Sequence, residues 1–176
     1  TIPNNLFTCD VTANFDLFVE TNKKQNAVQF DLVTSWELME HIEETKIAAV
    51  AANVKKHLAS HGLWIMSVAT VDDIVNGVNL HQTVKPKDWW ITKFEELGFY
   101  HQPAFVDFFN TQFVRGGTKY SGPASGSFHL VLSANPQNAP KTPPVGVRDK
   151  LFDAWLGSKI QKTLKRWIIG PSRKYS

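Results

Sequence analysis

Two apolar runs constrain this chain more than any other feature: Phe30-Asp31-Leu32-Val33-Thr34-Ser35-Trp36 and Leu63-Trp64-Ile65-Met66-Ser67-Val68-Ala69. Neither alternates cleanly between apolar and polar residues, so each reads as a strand buried on both faces rather than an edge strand. Between them Ile47, Val50, Ala51, Val54 and Leu58 recur at spacings of three and four. That period predicts an amphipathic helix over residues 46–60, with Lys46, Lys55 and Lys56 towards water and Gly62 placed to end it. Strand, helix, strand is the opening of an α/β programme.

The remaining elements extend it. Leu6 to Val11 predicts a short buried strand that stops at Asp10, and residues 22–26 read as a solvated connection. Lys85-Pro86-Lys87-Asp88 marks the start of a second helix, which runs through Trp89, Trp90, Phe94 and Leu97 to Gly98. Residues 104–109 predict a strand, 116–126 a glycine-rich loop and 128–133 a last strand, so the sheet closes with an antiparallel pair. The expected organisation is one core over residues 1–134, a proline-rich linker over 135–146 and a basic amphipathic helix and tail over 147–176.

A chain of 176 residues suits one packed core. It contains no apolar run long enough to span a bilayer and no secretory leader pattern, and its single cysteine excludes an internal disulfide and a cysteine-rich zinc site. A reducing, cytoplasmic location is the expectation. Charge is uneven: residues 1–140 carry 10 Lys/Arg against 14 Asp/Glu, hence −4, and residues 141–176 carry 9 against 2, hence +7. An acidic body argues against a nucleic-acid track. In the tail, Phe152, Trp155, Leu156, Ile160, Leu164, Trp167 and Ile168 alternate with lysines, a stripe suited to packing on the body, to a partner or to an anionic membrane surface. No P-loop or Gly-x-Ser-x-Gly elbow is present, and the histidines show no ligand spacing, so no metal site is assigned.

The segment Phe30-Asp31-Leu32-Val33-Thr34-Ser35-Trp36-Glu37-Leu38-Met39-Glu40-His41-Ile42 resembles the fourth-strand motif of class I S-adenosylmethionine-dependent methyltransferases. His61-Gly62-Leu63-Trp64 is similar to that family's turn into strand five, and Leu97-Gly98-Phe99 to its entry into strand six. Val78-Asn79-Leu80-His81-Gln82-Thr83-Val84-Lys85-Pro86-Lys87-Asp88-Trp89-Trp90 resembles a subgroup acting on small molecules and glycans. The likeness covers residues 6–134 and lies in serial order. It implies a Rossmann-like sheet of order 3-2-1-4-5-7-6 with helices on both faces, here incomplete, because the glycine-rich cofactor turn after strand one and the whole of strand two have no counterpart. The expectation is a truncated or split domain, completed by an N-terminal segment or a second chain.

The resemblance also implies roles. Asp10 and Val11, at the end of strand three, would meet the adenine of S-adenosylmethionine, and Ser35, Trp36 and Glu37 would border its methionine part. Each has a plainer reading: Asp10 as a turn cap, Trp36 as a core residue, and Glu37, Glu40 and Glu44 as acids at a helix start. His41 and His81 are the candidates for taking the proton from an acceptor hydroxyl, with Glu40 and Gln82 on the acceptor side. Either histidine could instead bond loop backbone, and Gln82 could cap its loop. The expected activity is O-methylation of a small molecule or glycan; the competing expectation is an inactive, methyltransferase-like interaction module.

Overall fold

The computed structural model describes residues 8–21, 24–112 and 126–143. The chain opens with a hairpin, β1 (Phe18–Thr21) antiparallel to β2 (Lys24–Ala27), and continues into β3 (Phe30–Trp36). Two short 3-10 turns, Met39–His41 and Glu44–Lys46, lead to α1 (Ile47–His57) and directly into the long β4 (Leu58–Ala69). A second hairpin, β5 (Ile74–Val75) and β6 (Val78–Asn79), precedes α2 (Lys87–Glu96). Then come β7 (Tyr100–His101), α3 (Pro103–Gln112) and β8 (Ser127–Ser133).

The main sheet has the order β3-β4-β8-β7, parallel at β3–β4 and antiparallel at the other two pairs. The β3–β4 connection is long enough to contain α1, as a parallel pair requires. In order this is the 4-5-7-6 half of the sheet that the resemblance implies, and a mixed sheet with a few helices is compatible with a partial Rossmann-like fold.

Alternation along β4 builds two cores. Trp64, Met66 and Val68 join Leu130 and Leu132 of β8 against Ile47, Val50 and Ala51 of α1 and Trp90 and Phe94 of α2. Leu63, Ile65 and Val131 face the other way, against Phe105 and Val106 of α3. Helices therefore cover both faces, which is why β4 reads as continuously apolar. Trp64 is the hub: fully buried, it meets Phe94 and Phe99 edge-on at 5.0 and 5.2 Å and donates its Nε1–H to Ser35 Oγ at 3.0 Å.

Several expectations need correction. Residues 8–10 are irregular and 11–13 form a turn, so the described part of the segment 6–11 is not a strand. Residues 24–26 belong to β2 rather than to a solvated connection. The strand β3 is an edge strand among the described residues, with Phe30 40% and Leu32 49% exposed, because nothing described pairs its outer side. Residues 104–109 lie in α3: Phe105, Val106 and Phe109 sit on one helical face, and Pro103 is its first residue. The closing antiparallel partner of β8 is β7 instead.

The first helix stops at His57, five residues before Gly62, which lies inside β4. Register slips there, with Phe30 opposite Leu58 and Leu32 opposite Leu63. A Cβ on Gly62 would sit 2.9 Å from the Phe30 carbonyl oxygen and 2.8 Å from Leu58 Cδ1, so close approach across the bulge is what demands glycine. Gly98 does end its helix, at φ +76° just after α2. Residues 116–125 of the glycine-rich loop, 144–146 of the linker and the tail helix lie outside the described residues. No helix among the described residues is long and apolar enough to cross a membrane.

Candidate functional site

Parallel pairing puts the carboxyl ends of β3 and β4 side by side, the end of an open α/β sheet where ligands gather. The chain leaves β3 at Glu37, whose φ of 47° is a left-handed conformation that costs a non-glycine residue roughly 1 kcal/mol or more. Its N–H donates to both the carbonyl and the Oγ of Ser67, each at 3.0 Å, and its carboxylate accepts from Ser127 Oγ at 2.8 Å. That turn carries residues 38–42 across the strand ends.

Glu40 is fully buried there. Its Oε1 accepts from the Ala69 N–H at 3.1 Å, and its Oε2 has no hydrogen-bond partner. Burial pushes the carboxyl above its ordinary range, and the nearby charge of Glu37 adds to this. Its main-chain carbonyl accepts from the N–H groups of Gln82 and Thr83 at 2.7 and 2.9 Å, and Thr83 Oγ1 donates to the Ile42 carbonyl at 2.7 Å. These three bonds lash residues 82–83 to residues 40–42.

The lashing brings His41 and His81 together, ring centroids 4.7 Å apart and planes at 78°. His41 Nδ1 bonds the Leu80 carbonyl at 3.0 Å and His81 Nδ1 the Val71 carbonyl at 2.5 Å. A carbonyl only accepts, so Nδ1 carries the hydrogen in each neutral ring and Nε2 holds the lone pair. One ligating atom each from Glu40, His41 and His81 lies within 4.8 Å of the others. No sequence spacing announced this cluster, because His81 returns to His41 only through the bonds just described.

The loop carrying His81 has its own scaffold. Asn76 and Gly77, at φ 52° and 79°, form the two-residue turn of the β5–β6 hairpin, and Asn79 Oδ1 accepts from the His81 N–H at 3.1 Å. The elements expected from sequence omit this hairpin, although an Asn-Gly pair is a signal that could have found it. Gln82 Nε2 donates to the Asn79 carbonyl at 3.1 Å, so this side chain caps the loop. Glu44 pairs with Lys85 at 3.3 Å. Glu40 and Glu44 sit in the first turns of the two 3-10 helices, but Glu40, unlike Glu44, is buried.

The residues expected around the cofactor divide. Val11 and Ser35 border one cavity of about 300 Å³ on the α1 side of β3, with Phe15, Leu32 and Val54 among its walls. Asp10 is exposed, and its Oδ1 accepts from Thr12 N–H at 2.9 Å and Thr12 Oγ1 at 2.7 Å, bonds that hold its carboxyl below the usual range. This is the turn-capping role. Trp36 packs on the opposite face, edge-on to His129 at 5.9 Å, and does not wall the cavity with Ser35.

Apart from the exposed Thr34, the cavity's polar side chains are already engaged. Ser35 Oγ takes the Trp64 indole, and Asn53 donates to the carbonyls of Val11 and Ala13 at 3.0 and 2.6 Å. The imidazole of His57 bonds the Asn53 carbonyl and the Leu17 N–H. The described residues therefore do not supply the acceptors and donors that a ribose diol and an amino-acid group need, and S-adenosylmethionine does not fit them alone.

No family model matches the chain, and no curated protein matches it. Among solved structures it is similar to one described as the DhpI–SAH complex, at 13% identity and a TM-score of 0.42, over 61% of this chain and 48% of that one. The chain thus spans about half the length of that structure. A likeness of this size carries no functional argument.

Proposed function

We propose that this chain is the acceptor-side half of a methyltransferase-like domain, taking S-adenosylmethionine as methyl donor and a hydroxyl of a small molecule or glycan as acceptor. The observation that carries the reading is the convergence of Glu40, His41 and His81 at the carboxyl ends of β3 and β4, in a sheet ordered β3-β4-β8-β7. The chemistry this half can supply is proton acceptance: an Nε2 lone pair, in a ring fixed through Nδ1, beside the strand ends. Donor contacts for the cofactor's polar groups come from polypeptide outside the described residues, a further segment or a second chain that also pairs the outer edge of β3.

The second reading is an inactive interaction module. It is favoured by the same edge, where Phe30 and Leu32 stay exposed beside an apolar cavity and β3 leaves backbone groups for an added strand. Calorimetric titration of the 176-residue chain with S-adenosylmethionine and S-adenosylhomocysteine separates the two. Binding by the chain alone, or recovered when an N-terminal segment or second chain is added, supports the transferase. No binding under any pairing moves the assignment to the module.

A further inference from the structure

We infer that Glu40, His41 and His81 form a binding site for a divalent first-row transition metal. Two independent observations meet at this point. The first is the donor set: two imidazoles and a carboxylate whose ligating atoms lie within 4.8 Å of one another. Each imidazole has its Nδ1 anchored on a main-chain carbonyl, Leu80 for His41 and Val71 for His81, the kind of outer support that fixes a histidine ligating through its other ring nitrogen. The second is Glu40 Oε2, an oxygen without a partner on a side chain with no exposed surface. A buried carboxylate oxygen needs a donor or a cation.

Two nitrogens and one oxygen suit zinc, iron, cobalt or manganese, whereas calcium and magnesium take oxygen ligands. Bonds of about 2.0–2.1 Å bring ligand atoms to roughly 3 Å from one another, so binding draws the half-buried His81 inward by on the order of 1 Å. Three protein ligands leave positions open for oxygen atoms of a small molecule. The inference does not depend on the methyl-transfer reading and competes with proton acceptance by these rings, because an Nε2 lone pair given to a metal cannot take a proton; cation binding is measurable with neither cofactor nor acceptor.

The test is titration of the chelator-stripped 176-residue chain with Co(II), followed by visible absorption, and with Zn(II), followed by calorimetry. The expected result is one equivalent bound, with d–d bands showing nitrogen ligation and a thermal midpoint that rises with metal. His81→Ala and Glu40→Gln each weaken binding at least about tenfold, while His61→Ala, which removes an exposed imidazole paired with Asp31, leaves it unchanged. Should Glu40→Gln fail to fold, His81→Ala on its loop decides alone, with circular dichroism reporting its fold. No Co(II) spectrum, or affinity unchanged in folded His81→Ala, overturns the site.

Discussion

Replacing Thr83 by valine removes one hydroxyl and almost no volume, and it tests the lashing that assembles the site. The side chain is 1% exposed and its Oγ1 donates to the Ile42 carbonyl at 2.7 Å, so water cannot take over the bond. Leaving a buried acceptor without its donor costs about 1–3 kcal/mol, and a short, dry bond belongs near ~2 kcal/mol. At about 1.4 kcal/mol per tenfold, the unfolding equilibrium shifts by roughly 25-fold. For a domain of this size the melting midpoint falls by about 4–8 °C. Thermal melts and urea titrations of wild type, Thr83→Val and Thr83→Ser measure it; serine keeps the hydroxyl and is expected to lose less than half as much. A midpoint within about 1 °C of wild type for the valine variant would refute the argument that this hydroxyl holds the two segments together.

Two further outcomes are expected. Gly62→Ala puts a methyl group against the Phe30 carbonyl, which cannot rotate away as Leu58 can, so the β3–β4 pairing shifts at a cost of about 1–3 kcal/mol; urea midpoints check the cost, and hydrogen exchange confined to residues 30–36 and 58–63 checks the location. The pKa of His101 is pushed below the ordinary 6.5 by burial, with the Lys87 charge adding to it. The unfolded chain then takes the proton first, and the stability this group contributes is complete above pH 6.5 and is lost as pH falls through the lower folded value. His101→Phe removes that loss, so its melting midpoint gains on wild type between pH 7 and pH 5; a constant gap contradicts the assignment.

Much of the fold was legible because burial imposes a period. The stripe of α1, the continuous apolar runs of β4 and β8 and the Pro86 start and Gly98 end of α2 all follow from residues that must face one core or two. Residues 104–109 misled because a short apolar run suits a buried strand and a helix equally, and only packing on Leu63, Ile65 and Val131 settles which. For β3, sequence determined that it is a strand, but exposure of Phe30 and Leu32 depends on which neighbour is present, which no local pattern encodes.

The site divides in the same way. Sequence by itself placed Glu40 and His41 after a strand end, and the family resemblance nominated His41 and His81, because residue type and serial order are one-dimensional facts. Their meeting is decided by tertiary structure: three hydrogen bonds between residues 40–42 and 82–83 close a loop of about 40 residues and set two rings 4.7 Å apart. Burial of the Glu40 carboxylate and the commitment of Asp10 to its own turn are likewise decided there. The energies involved come from neighbours distant in the chain for Glu40, and for Asp10 from a turn geometry that composition does not reveal.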